Sequence, residues 1–414
     1  MEPHPMNPID AREFFSTAAI EDPHPLYARM REAGPVYALG NARAFLLSTR
    51  AAVEEAVKRH GEFSANLESM LIYSNSGGPR VINLASRSVS SRVIATADEP
   101  DHSVHRRLML PPLKASPVAR MEPDLRNFAR ERIATLLDGG GGNSCATLAE
   151  PLPAYVVTRL LDLDENALEA VRRWAMMGGD LLAGVLEEAE LDTLLVEAAE
   201  QGLYLFEHFN RLRARNASAR GDSLTATLAR GVDEGLVSVE QAVGILVVLF
   251  GAAGESTAAL LGSALLHLAK DQTTQARLRE EPALLANFIE EVVRLETPFK
   301  FHYRVVREQT ELCGTPLRKD DLLLLGWAAA NRDPACFPEP DQLRLDRPNP
   351  ERHLGFGYGI HFCIGAPLAR LEVRVALEEL LAATQRITLD ADNPPEYVRS
   401  IFVRRLQHLF LKLD

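Results

Sequence analysis

The stretch 354-LGFGYGIHFCIGAPLARLE-372 decides how the rest of the chain is read. Gly355, Gly357 and Gly359 alternate, His361 and Cys363 follow, and Gly365 and Pro367 lead into a helical pattern. Glycine at that density lets a backbone pass where a Cβ would clash. Four chemistries compete. A dinucleotide phosphate cradle needs a strand before the glycines and a helix directly after them. Here the proline-rich 347-RPNPERHLG-355 comes first and the helix begins only at Pro367. Zinc held by His353, His361 and Cys363 lacks a second Cys/His pair to complete four ligands. A nucleophilic Cys363 at a helix start gains thiolate character, but that leaves the glycines and aromatics unexplained. A thiolate ligand to a haem accounts for all of them. The loop is slim, Phe356 and Phe362 supply apolar surroundings, amides at the helix start face the sulfur, and Pro367 suits a first helical turn. The bland alternative, a buried cysteine in a featureless turn, leaves this pattern without a reason.

Composition narrows the class. The chain has 414 residues, 46% hydrophobic and 25% charged, which is ordinary globular material. Its formal net charge of -12 argues against nucleic acid and anionic membrane as partners. The N-terminal MEPHPMNPID has neither a basic nor an apolar leader. The longest apolar run, 243-VGILVVLFGAA-253, is shorter than the ~20 residues a bilayer span needs. No membrane anchor, a cytoplasmic location and reduced thiols at Cys145, Cys313, Cys336 and Cys363 are therefore expected. Apolar residues at helical spacing predict helices over 25–34, 117–138, 165–177, 190–215, 239–250, 274–282, 283–296 and 366–384. Short strands are expected within 35–40, 43–48, 311–317, 321–328 and 400–413, and the region 64–96, which has no clear period, reads as a long loop. The fold class is mainly α with small β-sheets, in one domain over 1–414.

The segment from Phe356 to Gly365 resembles the F-x-x-G-x-H/R-x-C-x-G haem-ligand signature of the cytochromes P450. Glu291 and Arg294 stand at E-x-x-R spacing on a predicted helix, where both charges share one face. The stretch 331-NRDPACFPEPDQLRLDRP-348 is similar to the family's meander before the ligand loop, and 97-ADEPDHSVHRRL-108 to a D-x-P-x-H-x-x-x-R stretch of its soluble bacterial members. The resemblance implies a triangular helical body with haem b between a long central helix and the ligand-loop helix. It also implies a haem-thiolate monooxygenase that oxidises a small, largely apolar substrate with O2. Electrons come from a separate ferredoxin-type donor and its reductase, which dock where Arg107, Lys114 and Arg370 form a basic patch. A peroxide-using haem-thiolate enzyme and a non-catalytic haem-binding protein are the alternatives.

Residue by residue, the resemblance gives Cys363 as metal ligand, with Phe356 and Gly365 beside the cofactor. His102, Arg106, Arg304 and His361 would hold the haem propionates. Glu291, Arg294 and Arg347 would form a structural ion-pair cluster. The family's acid–alcohol pair falls in 252-AAGESTA-258, where two registers compete, with Ser256 and Thr257 or Glu255 and Ser256 in the two roles. The separation of 36 residues between Glu255 and Glu291 (291 − 255) matches the family's common spacing and favours Glu255 as acid and Ser256 as alcohol, followed by Thr257. Serine there replaces the usual threonine and lacks the methyl that restricts χ1. Substrate contacts are expected at Leu246, Ala252, Phe299, Phe301, Ile401 and Phe402, with Lys300, His302 and Arg399 as polar groups able to meet a substrate carboxylate.

Overall fold

The computed structural model describes residues 9–74, 78–84, 92–186, 188–216 and 219–414. Nine helices position the site and are numbered here in chain order: α1 (Asp101–Met109), α2 (Glu122–Asp138), α3 (Leu168–Leu181), α4 (Glu188–Arg213), α5 (Leu224–Asp233), α6 (Val239–Phe250), α7 (Ser256–Lys270), α8 (Leu284–Glu296) and α9 (Ala366–Ala383). The main core lies among these helices, with Leu125, Phe209, Phe250, Leu261, Phe288 and Leu377 fully buried in it.

The central element begins on a reciprocal cap. Ser238 Oγ accepts from the Gln241 amide at 3.1 Å, while the Ser238 amide donates to Gln241 Oε1 at 2.9 Å. From there α6, a π turn over Gly251–Glu255 and α7 run on as one helix, Val239–Lys270, of 32 residues. The apolar run taken as short is thus part of an element long and apolar enough to cross a membrane by length and composition. Its second half is buried on almost every side by protein, which is the other use of an all-round apolar helix. Gly254, in the π turn, lets α3 lie against this helix: a Cβ there would come 2.4 Å from the Ala175 Cβ.

Seven strands matter to the site: β1 (Val36–Ala38), β2 (Ala44–Leu47), β3 (Phe63–Ser64), β4 (Ser69–Ser74), β5 (Gly78–Asn83), β6 (His302–Val306) and β7 (Leu322–Leu325). One sheet has the order β1-β2-β7-β6-β3, with β2 and β7 parallel and the other pairs antiparallel. The expected long loop over 64–96 instead contains the antiparallel hairpin β4–β5; its residues 75–77 and 85–91 lie outside the described residues. The apolar residues of β4 come as the run Met70–Tyr73 rather than in alternation, so no strand period was visible. Other departures are of the same kind. Residues 117–138 divide into Ala115–Ala119 and α2. Pro151–Leu161 is helical without a legible period because nearly all its residues are buried, leaving no polar face.

Candidate active site

A cavity of about 1480 Å³, counting its open mouth, lies between the α6–α7 helix on one side and the loop 354–365 with the start of α9 on the other. Of the four cysteines, only Cys363 lines it. Cys145 is buried in the helical core, where burial pushes its thiol up to about 12, and Cys313 and Cys336 are exposed.

The loop around Cys363 is held by its own backbone. The Cys363 amide donates to the Phe356 carbonyl at 2.8 Å, the Gly357 amide to Leu354 at 2.9 Å, and the Leu354 amide to Asn331 Oδ1 at 2.6 Å. The glycines do more than thin the chain beside a cofactor. Gly357 and Gly359 sit at φ of +73° and +71°, left-handed positions that side chains disfavour. Gly355 lies against α8, where a Cβ would come 2.4 Å from Val293 Cγ1. Burial raises the Cys363 thiol, while the amides of Gly365 and Ala366 and the charges of Arg106 and Arg370 work the other way. A metal cation at the sulfur would complete that opposition and hold the thiolate.

Four basic side chains gather around His361 on the cavity wall. Its ring lies 4.0 Å from that of His102, its Nδ1 is buried with no partner, and Arg304, His102, Arg106 and His302 all bear on it electrostatically. Burial, with those neighbours, pushes His361 down to about 2, so it is neutral. Arg106 Nη1 donates to the Phe362 carbonyl at 2.8 Å, tying α1 to the ligand loop. Arg304 donates to the Tyr303 carbonyl at 2.7 Å and stays charged, although burial lowers it to about 10. His302 and Arg304 share one face of β6 by strand alternation. Trp327 Nε1 donates to His302 Nδ1 at 2.8 Å, which leaves the His302 hydrogen on Nε2. Among the described residues no carboxylate hydrogen-bonds Arg106, Arg304 or His361, so the cluster suits a ligand that brings carboxylates of its own. An apolar cavity with a thiol on its wall and a carboxylate-seeking cluster fits haem.

Glu255 is fully buried but does not line the cavity. Its carboxylate turns toward α3, where Oε2 accepts from the Gly179 amide at 2.5 Å and Oε1 from Arg405 Nε at 3.1 Å. A Cβ on Gly179 would lie 2.5 Å from that carboxylate, so the absence of a side chain there makes the seat. Burial raises Glu255 to about 8 against the pull of Arg405, with Asp180 adding to the rise. Arg405 also approaches Asp180, which is 36% exposed, at 3.5 Å. Ser256 and Thr257 both line the cavity, and Ser256 Oγ donates to the Ala252 carbonyl at 2.6 Å.

The comparisons with known proteins agree with this geometry. A profile of the cytochrome P450 family matches residues 204–407. Cytochrome P450 144 of Mycobacterium tuberculosis is 39% identical over 98% of this chain and 92% of its own. The 6-deoxyerythronolide B hydroxylase of Saccharopolyspora erythraea is 30% identical over 78% of each. The crystal structure of CYP108D1 from Novosphingobium aromaticivorans superposes with a TM-score of 0.85 at 27% identity, over 99% of this chain and all of that one. The chain belongs to the cytochrome P450 family. It has the P450 fold, binds haem through a cysteine thiolate and is a monooxygenase.

Within the P450 frame, some sequence expectations move. Ala252 and Phe299 line the cavity, but Leu246, Phe301, Ile401 and Phe402 do not. On α6 the wall is formed by Ile245, Val248 and Leu249, with Leu246 turned into the core. Phe301 falls on the Tyr303 side of β6, Phe402 stacks behind Phe299 at 5.0 Å, and Ile401 packs over Gly184. Lys300 is buried away from the cavity, its Nζ donating to the Ser400 carbonyl at 2.7 Å, and Arg399 is exposed. Of the three polar intrusions only His302 reaches the cavity. In the expected basic patch Arg107 and Lys114 are exposed, whereas Arg370 is engaged with Glu290 through two contacts of 2.7 Å.

Sequence reasoning missed Arg405, Gly179, Asp180 and Glu372. Arg405 is 150 residues from Glu255, and no spacing announces such a pair. Glu372 lines the cavity with Oε2 unpartnered, burial raising it well above its ordinary value. An acid on the apolar face of α9, one turn beyond Leu368, was the available signal. Away from the cavity, Glu291 accepts from Arg294 Nε at 2.6 Å and Nη2 at 2.9 Å and lies 2.8 Å from Arg347 Nε. Arg294 and Arg347 spend their other donors on the carbonyls of Pro338, Glu339, Pro340 and Gln342, so the cluster clamps the meander to α8.

Proposed function

We propose that Cys363 would hold the haem iron through its thiolate and that the chain, one domain over 1–414 and cytoplasmic, oxidises a small, largely apolar substrate. The observation that carries this is the convergence on one cavity of the only cavity-lining cysteine with Arg106, Arg304 and His361, none of which hydrogen-bonds a carboxylate among the described residues, beside His102, whose Nδ1 lies 3.3 Å from Glu99. His102, Arg106, Arg304 and His361 are assigned to the propionates, with His302 added to them through its Nε2 hydrogen. Bound haem supplies oxygen activation and the oxidising power that places one oxygen atom on the substrate.

The chain's own residues do the rest. Ile245, Val248, Leu249 and Phe299 exclude water and orient an apolar substrate. Ser256 Oγ, already donating to the Ala252 carbonyl, is placed to exchange that bond for one to an oxygen in the cavity. Glu255 holds a proton at near-neutral pH. Arg405 orients its carboxyl on the outer side, beside the partly exposed Asp180, and Ser256 follows it on the cavity side of the helix. Electrons are assigned to a separate ferredoxin-type donor with its reductase. A relative named as a 6-deoxyerythronolide B hydroxylase is consistent with an apolar wall.

The test is a screen of apolar small molecules for loss of the water-ligated haem spectrum, followed by turnover with a reduced ferredoxin. Product formation dependent on both ferredoxin and O2 is the expected result. Product with peroxide alone, and none with ferredoxin, would replace it with the peroxide-using reading; binding without product from any donor would leave only a haem-binding protein.

A further inference from the structure

The helix α4 is apolar on two opposite faces, and only one of them is covered. Inward, Leu205, Phe209 and Leu212 are fully buried as α4 packs on α3, α5 and α6. Outward, Val196, Ala199, Leu203 and Phe206 follow one another at spacings of three, four and three residues. Val196, Leu203 and Phe206 are 62%, 60% and 46% exposed, and they are half of the exposed large hydrophobic side chains among the described residues. A three–four spacing of this kind is the seam by which two helices pair, and an unpartnered apolar stripe marks a contact surface.

The charges along α4 choose the occupant. From Glu188 to Gln201 the sequence has no lysine or arginine and includes Asp192, Glu197 and Glu200, while the other half carries Glu207 and, in its last turn, Arg211 and Arg213; Arg213 is engaged with Asp233, and Arg211, 62% exposed and 3.6 Å from Glu207, is the cation left facing out. An identical helix laid parallel would set acid on acid; laid antiparallel it sets the acidic half on the basic half. We propose that two copies of this chain associate through an antiparallel pair of α4 helices, related by a twofold axis near Gln201 and Gly202. Val196 of one copy then meets Phe206 of the other, Ala199 meets Leu203, and Asp192 lies beside Arg211. Such an interface is isologous and closes at two copies. The seam from Val196 to Phe206 is only ~15 Å long, so the pair belongs with small, dissociable interfaces. Pairing would brace α4 against α6, which carries Ile245 and Leu249 on the cavity wall.

Sedimentation velocity on the haem-loaded protein from about 1 to about 100 µM, bracketing micromolar association, tests this. The wild type is expected to pass from monomer to dimer across that range. Leu203→Glu should remain monomeric throughout with an unchanged haem spectrum. Asp192→Lys and Arg211→Glu should each weaken association at least tenfold, and the double reversal should restore it, because only antiparallel pairing brings these two positions together. A monomeric wild type, a dimer indifferent to Leu203→Glu, or a double reversal that fails to restore association would overturn the proposal. So would a monomer that binds phosphatidylcholine–phosphatidylglycerol vesicles through Leu203, since the stripe would then be a lipid contact.

Discussion

Cys363, Ser256 and Arg405 each carry a separable consequence. Replacing Cys363 by alanine is expected to abolish the thiolate-type absorption of the reduced carbon-monoxide complex while far-ultraviolet circular dichroism stays native. Retention of that absorption would remove Cys363 from the metal. Ser256 and Thr257 share the cavity wall, so substitution rather than position separates the two registers of the acid–alcohol pair. Ser256→Ala should lower product formed per electron consumed by about tenfold or more, since positioned proton transfer is worth roughly 10²–10⁴. Thr257→Ala should change it little, and the reverse order would make Thr257 the alcohol. Arg405 favours the charged form of Glu255, whose pKa is already raised to about 8 by burial. Removing that cation in Arg405→Gln raises the carboxyl further, so any limb of the pH–activity profile set by Glu255 moves to higher pH. In Glu255→Gln the limb should disappear, and a limb unmoved in either variant would exclude this acid from the relay.

At the scale of elements, close contact between backbones decides where the functional groups stand. The π turn at Gly251–Glu255 and the glycines of α3 bring two helices near enough for the Gly179 amide to reach a carboxylate on the other. Gly179→Ala would place a methyl 2.5 Å from the Glu255 carboxyl and dislodge it. The expected outcome is loss of product per electron comparable to that of Glu255→Gln, with the haem spectrum and substrate affinity kept. Gly355→Ala presses instead on the immobile Val293 of α8, 2.4 Å from Cγ1 and 3.0 Å from the carbonyl oxygen. Overpacking of this kind costs typically about 1–3 kcal/mol, read as a fall in unfolding midpoint together with faster haem loss.

At the scale of the whole molecule, two buried carboxylates anchor the meander and the ligand-loop helix to α8. Glu291→Gln leaves Arg294 and Arg347 buried without a counter-charge and is expected to cost about 3–5 kcal/mol in unfolding free energy. Burial tends to raise Glu290, but Arg370 and His353 more than offset it, and the carboxyl falls to about 2. Its native value lies below the ordinary 4.5, so its contribution is complete above that pH and is lost as pH falls toward 2. Glu290→Gln should flatten acid unfolding in that window, a difference on the order of 3 kcal/mol. The ligand loop, the E-x-x-R pair and the helical class were legible in the sequence because each rests on local chemistry: glycine φ, helix spacing, a cysteine beside a helix start. His102, Arg106 and His361 stand in contiguous stretches that carry the family resemblance, whereas Arg304 stands in none, and the fold is what brings the four to one cavity wall. The face that α6 turns to the cavity was not legible, because an all-round apolar helix carries no phase in its pattern. Nor were the Arg405 partner of Glu255 and the Gly179 amide that seats it. Those are set by how α3 and the C-terminal segment pack on the central helix, and packing between segments 76 and 150 residues apart leaves no local trace in the chain.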